Sequence, residues 1–199
     1  MLMMENTPTL QTQRLILRKF STEDVSALLE LLSDEEVNTF LPWFPLKTLD
    51  EAKRFLEERF LSYYNKPLAY RYAICKKEDN VPIGYVWLSE GENHDFGYGL
   101  RKEFWHKGIV SEASVAVADR IRKAGYPYIT ATHDIRNPHS GAVMKKLGMQ
   151  YKYTYEEQWT PKNIPVTFRM YQLNFDRKDN RTYMEYWNRY EKHFIEKNV

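Results

Sequence analysis

The run from Leu100 to Ala113 reads Leu-Arg-Lys-Glu-Phe-Trp-His-Lys-Gly-Ile-Val-Ser-Glu-Ala, and it constrains the chain more than any other stretch. Ahead of it residues 96–100 are strand-like. After Gly108, apolar residues fall at Ile109, Ala113, Ala116, Val117, Ile121 and Ala124, the period of a buried helix face, and Gly125 closes the run. The spacing predicts a strand, a short basic loop and a helix that begins at the loop. The first N–H groups of such a helix have no intrahelical partner, and the macrodipole adds partial positive charge, so an anion there gathers several hydrogen bonds at once. A glycine at 108 lets an anion reach the backbone. One glycine before a helix is also ordinary loop punctuation, so Gly108 alone does not decide between the two roles. Further on, residues 129–132 are β-prone, and Asn137-Pro138-His139-Ser140 opens a second amphipathic helix with Ala142, Val143 and Leu147 on its inner face. Two strand–helix units stand side by side.

Around them the patterns predict a strand at 14–18, a helix from Asp24, a short helix near 34–39, and a stiff segment, Leu41-Pro42-Trp43-Phe44-Pro45, whose prolines forbid regular helix. An amphipathic helix follows from 49 to about 63, with Ala52, Phe55, Leu56 and Phe60 as its inner stripe. Strands are expected at 69–76, 83–90 and 94–100, joined by turns rich in Gly, Asn and Asp. After the strand at 128–132 and the helix at 139–147 comes a long hairpin, 150–159 with 166–175. The polar tail 177–197 carries Tyr183, Tyr186, Trp187, Tyr190, Phe194 and Ile195 at helical spacing, so a C-terminal helix is expected there, packed on its own domain or on a second subunit. Residues 1–175 then form one domain and 176–199 an extension.

With 199 residues, 43% hydrophobic and 28% charged, the chain is sized for one domain with a large core. A net charge of +2, spread along the sequence, points away from nucleic acid and from a membrane surface as partners. The one cysteine, Cys75, precludes an internal disulfide and fits a reducing cytoplasm, the expected location. No apolar stretch approaches the roughly 18 residues needed to span a bilayer, and the start lacks the pattern of a signal peptide.

Four segments resemble the GNAT family of acetyl-CoA-dependent N-acetyltransferases, and within it the RimJ/RimL-like branch that acetylates ribosomal-protein N-termini. They are Thr9 to Arg18 followed by Ser21-Thr22-Glu23-Asp24, Val81 to Leu88, Phe96-Gly97-Tyr98-Gly99-Leu100 leading through Phe104-Trp105-His106-Lys107-Gly108 to Ser111-Glu112-Ala113, and Asn137 to Met149. The phosphate loop departs from the family pattern at its outer positions, which hold Trp105 and Val110 here. The resemblance implies an α/β (α+β) GNAT fold: a mixed, mostly antiparallel seven-stranded sheet, with central parallel strands that splay apart and flanking helices, plus the extra C-terminal helix.

It also implies a site. Acetyl-CoA is the expected co-substrate and no metal is implied. Backbone groups of Tyr98, Gly99 and Leu100 would hold the pantetheine amides, with the N–H of Leu100 or a neighbour polarising the thioester carbonyl. Trp105, His106, Lys107, Gly108, Ile109, Val110 and Ser111 would hold the phosphates. Asn137 and Ser140 match positions that contact the cofactor arm near the departing thiolate, Ser140 with a catalytic role. Asn137 also reads as a helix cap. For the general base, Glu156, Glu157, His94 and Asp95 are candidates, and strand alternation puts Glu156 and Glu157 on opposite faces, with Tyr151, Tyr153 and Tyr155 beside Glu157. The acceptor pocket would be lined by residues 41–44, by Tyr70 and Tyr72, and by the final hairpin, a surface suited to a cationic amine. A protein or peptide N-terminus and a small amine (polyamine, aminoglycoside or amino sugar) both fit, as does an acetyl-CoA sensor without catalysis. A monomer or homodimer is expected.

Overall fold

The structure, a computed structural model, describes residues 5–178 and 180–199. Residues 1–4, at the start of the expected domain, and Asp179, inside the expected C-terminal helix, lie outside the described residues. Strands β1 (Leu10–Gln11), β2 (Leu15–Arg18), β3 (Arg71–Lys76), β4 (Pro82–Leu88) and β5 (Phe96–Leu100) form an antiparallel sheet in chain order. A second antiparallel sheet runs β6 (Tyr128–Asp134), β8 (Ile164–Asn174), β7 (Gln150–Trp159), β9 (His193–Phe194). Among the described residues nine strands thus fall into two antiparallel sheets rather than a single seven-stranded one. Helices α1 (Val25–Ser33), α2 (Glu35–Asn38) and α3 (Leu49–Arg59) precede β3, α4 (Ile109–Lys123) joins β5 to β6, and α5 (Pro138–Lys146) joins β6 to β7.

Alternation along the first sheet divides the core. Leu15, Leu17, Ile74 and Val86 pack with Val117 and Ile121 of α4 on one face. Ile16, Ala73, Cys75 and Tyr85 pack with Leu28 and Leu32 of α1 and Leu56 of α3 on the other. The α4 face expected from the sequence is largely present, with Ile109, Ala113, Val117 and Ile121 buried, while Ala116 and Ala124 lie at its margin. Cys75 is free and buried.

Two differences from expectation shape the site. A register shift between Tyr151 and Tyr153 inserts Lys152 as an extra residue in β7, so Tyr151 changes face and its hydroxyl meets that of Thr154 at 2.8 Å. Strict alternation would group Tyr151 with Tyr153. The tail is not one long helix either. It forms α6 (Glu185–Arg189) and then β9, which pairs antiparallel with β7 through Thr154↔Phe194 and Tyr155↔His193. The outer edge of β7 offers unpaired N–H and C=O groups, and an extended segment satisfies them where a helix cannot. Glu196 fixes this end by accepting hydrogen bonds from Arg169 at 2.9 and 2.6 Å.

The stripe packs in cis. Tyr183, Tyr186, Trp187 and Tyr190 cover Tyr153, Tyr155, Val166, Phe168 and Met170, whereas Ile195 is exposed. Truncation after Phe175 would return that aromatic cluster to water. At about 25 cal/mol per Å² the expected cost is ~3 kcal/mol, which lowers the melting temperature of a chain this size by roughly 10 °C. Calorimetry showing an unchanged transition would contradict the packing described.

Candidate active site

β5 and β6 run parallel and join at one isolated bridge, Asp95 with Thr130. There the Thr130 N–H donates to the His94 carbonyl at 3.1 Å and the Thr130 hydroxyl donates to the Asn93 carbonyl at 2.7 Å. Beyond this vertex the strands belong to separate sheets, and a cleft of about 790 Å³ lies between them. The register of β4 with β5, together with the Arg101 N–H donating to the Ile83 carbonyl at 2.9 Å, turns the odd-numbered backbone groups of β5 toward β4. The N–H and C=O of Tyr98 and the N–H of Leu100 therefore face the gap. The Leu100 carbonyl is taken, accepting from the Trp105 indole at 2.8 Å. Gly97 and Gly99 sit under aromatic rings: a Cβ would come within 2.2 Å of Trp87 at Gly97 and 2.6 Å of Tyr85 at Gly99. These glycines let both rings lie flat against β5 and line the cleft.

The far end of the cleft is the start of α4. Gly108 is left-handed at φ 72°, and no side chain caps the helix. Trp105, His106, Gly108, Ile109, Val110 and Ser111 all line the cleft. Lys107 does not: its ammonium donates to the Glu103 carbonyl at 2.7 Å, and its own carbonyl accepts from Arg14 at 2.9 Å. The loop is held from behind by Glu112, which accepts from the Thr12 hydroxyl at 2.5 Å, the Arg14 N–H at 2.9 Å and the Arg14 Nε at 2.6 Å. Burial alone would raise the Glu112 carboxyl, but these donors hold it below its ordinary value. An uncapped helix start with a left-handed glycine fits a pyrophosphate, and the backbone carries that fit.

At the start of α5, the Asn137 side chain accepts from the Ser140 N–H at 3.3 Å, so the cap reading of Asn137 holds while it also lines the cleft. Across the gap, the Tyr98 hydroxyl donates to the Ser140 carbonyl at 2.8 Å and lies 3.0 Å from Ser140 Oγ. A phenol has one proton, so Ser140 Oγ must be the donor of the second bond. Tyr98 thereby ties the far wall of the cleft to β5 and fixes the serine hydroxyl.

The vertex end carries the acids. Asp95 and Glu157 both line the cleft, as do Tyr155, Trp159 and Phe168. Burial, then the charge of Glu157, pushes the Asp95 carboxyl up to about 7. Glu157 is raised as well, chiefly by burial, with the Tyr190 hydroxyl and Arg189 acting in the opposite direction. Glu156 is displaced from the set: alternation turns it to the other face of β7, where it pairs with Lys192 at 2.9 Å. His94 is half-buried between Tyr126 and Tyr128, with both ring centroids at 5.0 Å, and does not line the cleft. Tyr70 and Tyr72 also drop out. They point to the opposite face of the first sheet and are buried in the α4 core, because β3 is central and its alternate residues must fill that layer. Leu41, Pro42 and Trp43 line the cleft as expected, while Phe44 is 58% exposed. Tyr186, Arg189 and Tyr190 of the tail line it too. The aromatic spacing marked these residues as a packing stripe, but nothing local in it indicated the cleft.

Comparisons with known proteins agree with this geometry. Residues 14–150 match the acetyltransferase (GNAT) domain family. The uncharacterized N-acetyltransferase YoaA of Bacillus subtilis (strain 168) is 23% identical over 171 residues, 83% of this chain and 96% of the relative. Among solved structures, RimL, a ribosomal L7/L12 α-N-protein acetyltransferase in complex with coenzyme A, superposes with a TM-score of 0.75 at 19% identity, covering 85% of this chain and 99% of that one. A Vibrio cholerae structure described as a putative ribosomal-protein-serine acetyltransferase gives a TM-score of 0.72 at 18% identity over 86% and 99% of the two chains. These neighbours share the fold of the branch that the motifs resemble. With a family match across most of its length and the splayed strands and open helix start in place, the chain belongs to the GNAT family of N-acetyltransferases.

Proposed function

We propose that this cleft transfers the acetyl group of acetyl-CoA to a primary amine by direct attack, with Asp95 and Glu157 receiving the amine proton and Ser140 serving the thiolate. The observation that carries the reading is the parting of β5 from β6 beyond Asp95 and Thr130. It leaves backbone donors and acceptors of β5 free along one wall, an uncapped helix start at one end and a carboxylate pair at the other. The N–H groups from Gly108 to Ser111 would hold the phosphates, and the Tyr98 backbone, facing the gap, would pair with the amide-bearing arm. His106 and Trp105 flank the mouth.

The chemistry follows from where the protons can go. An amine enters as an ammonium and must lose a proton before it attacks. The Asp95 carboxyl, raised to about 7, is matched to that transfer near neutrality, and Glu157 stands as a second carboxyl at the same end of the cleft. The new C–N bond forms at the thioester carbon, the C–S bond breaks, and the sulfur leaves as a thiolate that needs a proton or a hydrogen bond. Ser140 Oγ–H, which rests as a donor to the Tyr98 hydroxyl, turns to the sulfur to give it that hydrogen bond, with no covalent acyl-enzyme. A pure acetyl-CoA sensor has no need of two half-buried acids at the acceptor end.

Gly108→Glu is expected to weaken acetyl-CoA binding at least about a hundredfold by placing a carboxylate at the helix start, with the fold retained. Unchanged affinity in calorimetry would remove the phosphate assignment. For Ser140→Ala the expectation is a fall in kcat of roughly tenfold to a hundredfold with a smaller change in the acetyl-CoA KM, and equal kinetics would leave Ser140 as a helix-start residue only. The carboxylate form of Asp95 exists above its pKa, so kcat/KM should rise with pH through about 7 and then level off. Asp95→Asn should flatten that limb, and a profile that keeps its rise would place the base elsewhere.

A further inference from the structure

Tyr186, Arg189 and Tyr190 lie well past the residues that match the family, 14–150, yet all three face the cleft. The ring of Tyr155 is held between two of them, with Tyr186 at 5.1 Å and 20° and Tyr190 at 5.0 Å and 13°. The Tyr186 hydroxyl accepts from the Asn93 amide at 2.8 Å, reaching the loop that leads into Asp95. The Tyr190 hydroxyl interacts with the Glu157 carboxylate. The tail is therefore fastened to both sheets at the end of the cleft where the acids stand.

We propose that this segment is the acceptor wall of the cleft and fits it to a free small amine with an apolar body, an alkylamine or arylalkylamine, rather than to a polypeptide N-terminus. The inference rests on the acetyl-transfer reading above. Asp95 and Glu157 match the ammonium group and disfavour acceptors that carry carboxylates. The remaining surface there is largely aromatic: Tyr186, Tyr190 and Trp159 face the cleft over the buried Tyr155 and Phe168, and Arg189 beside them pairs with Glu185 at 2.5 Å, so an apolar chain or ring finds more area than peptide amides find partners. An extended peptide would gain most by adding to an open strand edge beside the site. From Thr154 to Glu156 that edge of β7 is already taken by β9, through Thr154↔Phe194, Tyr155↔His193 and the Glu156 N–H donating to the Lys192 carbonyl at 2.9 Å. A peptide lying across the wall would leave amides unpaired against rings, a cost that a compact amine avoids.

The test measures release of CoA thiol by the full chain with saturating acetyl-CoA and three acceptors: a linear alkylamine, phenethylamine, and a short peptide with a free N-terminus. One or both amines are expected to exceed the peptide in kcat/KM by about a hundredfold. Tyr190→Leu should raise the amine KM about tenfold with unchanged acetyl-CoA affinity in calorimetry, and Tyr190→Phe, which keeps the ring, should recover most of that loss. A peptide used as well as the amines overturns the inference, and so does an unchanged amine KM in Tyr190→Leu. The acceptor comparison uses the wild-type chain, so it decides the matter even where the leucine variant does not fold. Acetyl-CoA binding with no acceptor turned over overturns the transfer reading together with this one, whereas efficient peptide turnover overturns this one alone.

Discussion

Two hydrogen bonds from Thr130, one from its N–H and one from its hydroxyl, join the entry of β5 to β6, and beyond them the two strands part. If β5 and β6 paired along their length, their facing N–H and C=O groups would satisfy one another and no cleft would exist. Because they meet at Asp95 and Thr130 and then part, the N–H and C=O of Tyr98 and the N–H of Leu100 stay available. The vertex also fixes the order of the site. Acids from the β5 entry and from β7 stand at its closed end, and the start of α4, directly after β5, stands at its open end. Thr130 is completely buried, so this joint is protected from water.

The walls are held by contacts of different kinds. Glycines at 97 and 99 allow Trp87 and Tyr85 to lie against β5, a close approach that any side chain would block. The loop before α4 is anchored from the other end of the chain, by Thr12 and Arg14 acting on Glu112, so the segment between β1 and β2 has a part in positioning α4. Tyr98 spans the gap to Ser140 and sets the distance between the walls at that level. Each contact joins segments far apart in sequence, and each bears on a backbone position more than on a reacting atom.

The acid-bearing end of the cleft runs against stability. Two carboxyls in a largely aromatic pocket are both raised by burial, Asp95 also by the charge of Glu157, a cost that an apolar lining would not carry. Stacked tyrosines and the β9 pairing surround the same residues, so the tail that walls the pocket also contributes packing to offset that cost.

Much of this was legible in the sequence because the signals were local. The helix after Gly108 showed itself by period and by its closing glycine, the cap at Asn137 by its side chain and Pro138, and the hairpin by alternation with a turn between. Glu157 and Glu156 could be separated by face, since strand alternation is a property of consecutive residues. What the sequence could not supply was any choice that depends on an edge or a partner strand. Lys152 slips the register of β7 only because of how β8 pairs with it, and Tyr70 and Tyr72 are directed into the α4 core by the central place of β3. The tail turned from helix to strand because an open edge of β7 competed for its backbone, and its aromatic residues reached the cleft for the same reason. The sequence by itself determined which segments ahead of the tail are helical or extended and which helix start lies open after a glycine. The tertiary structure alone decided which acids and rings share one cavity, because that depends on which strands part and which edges are covered.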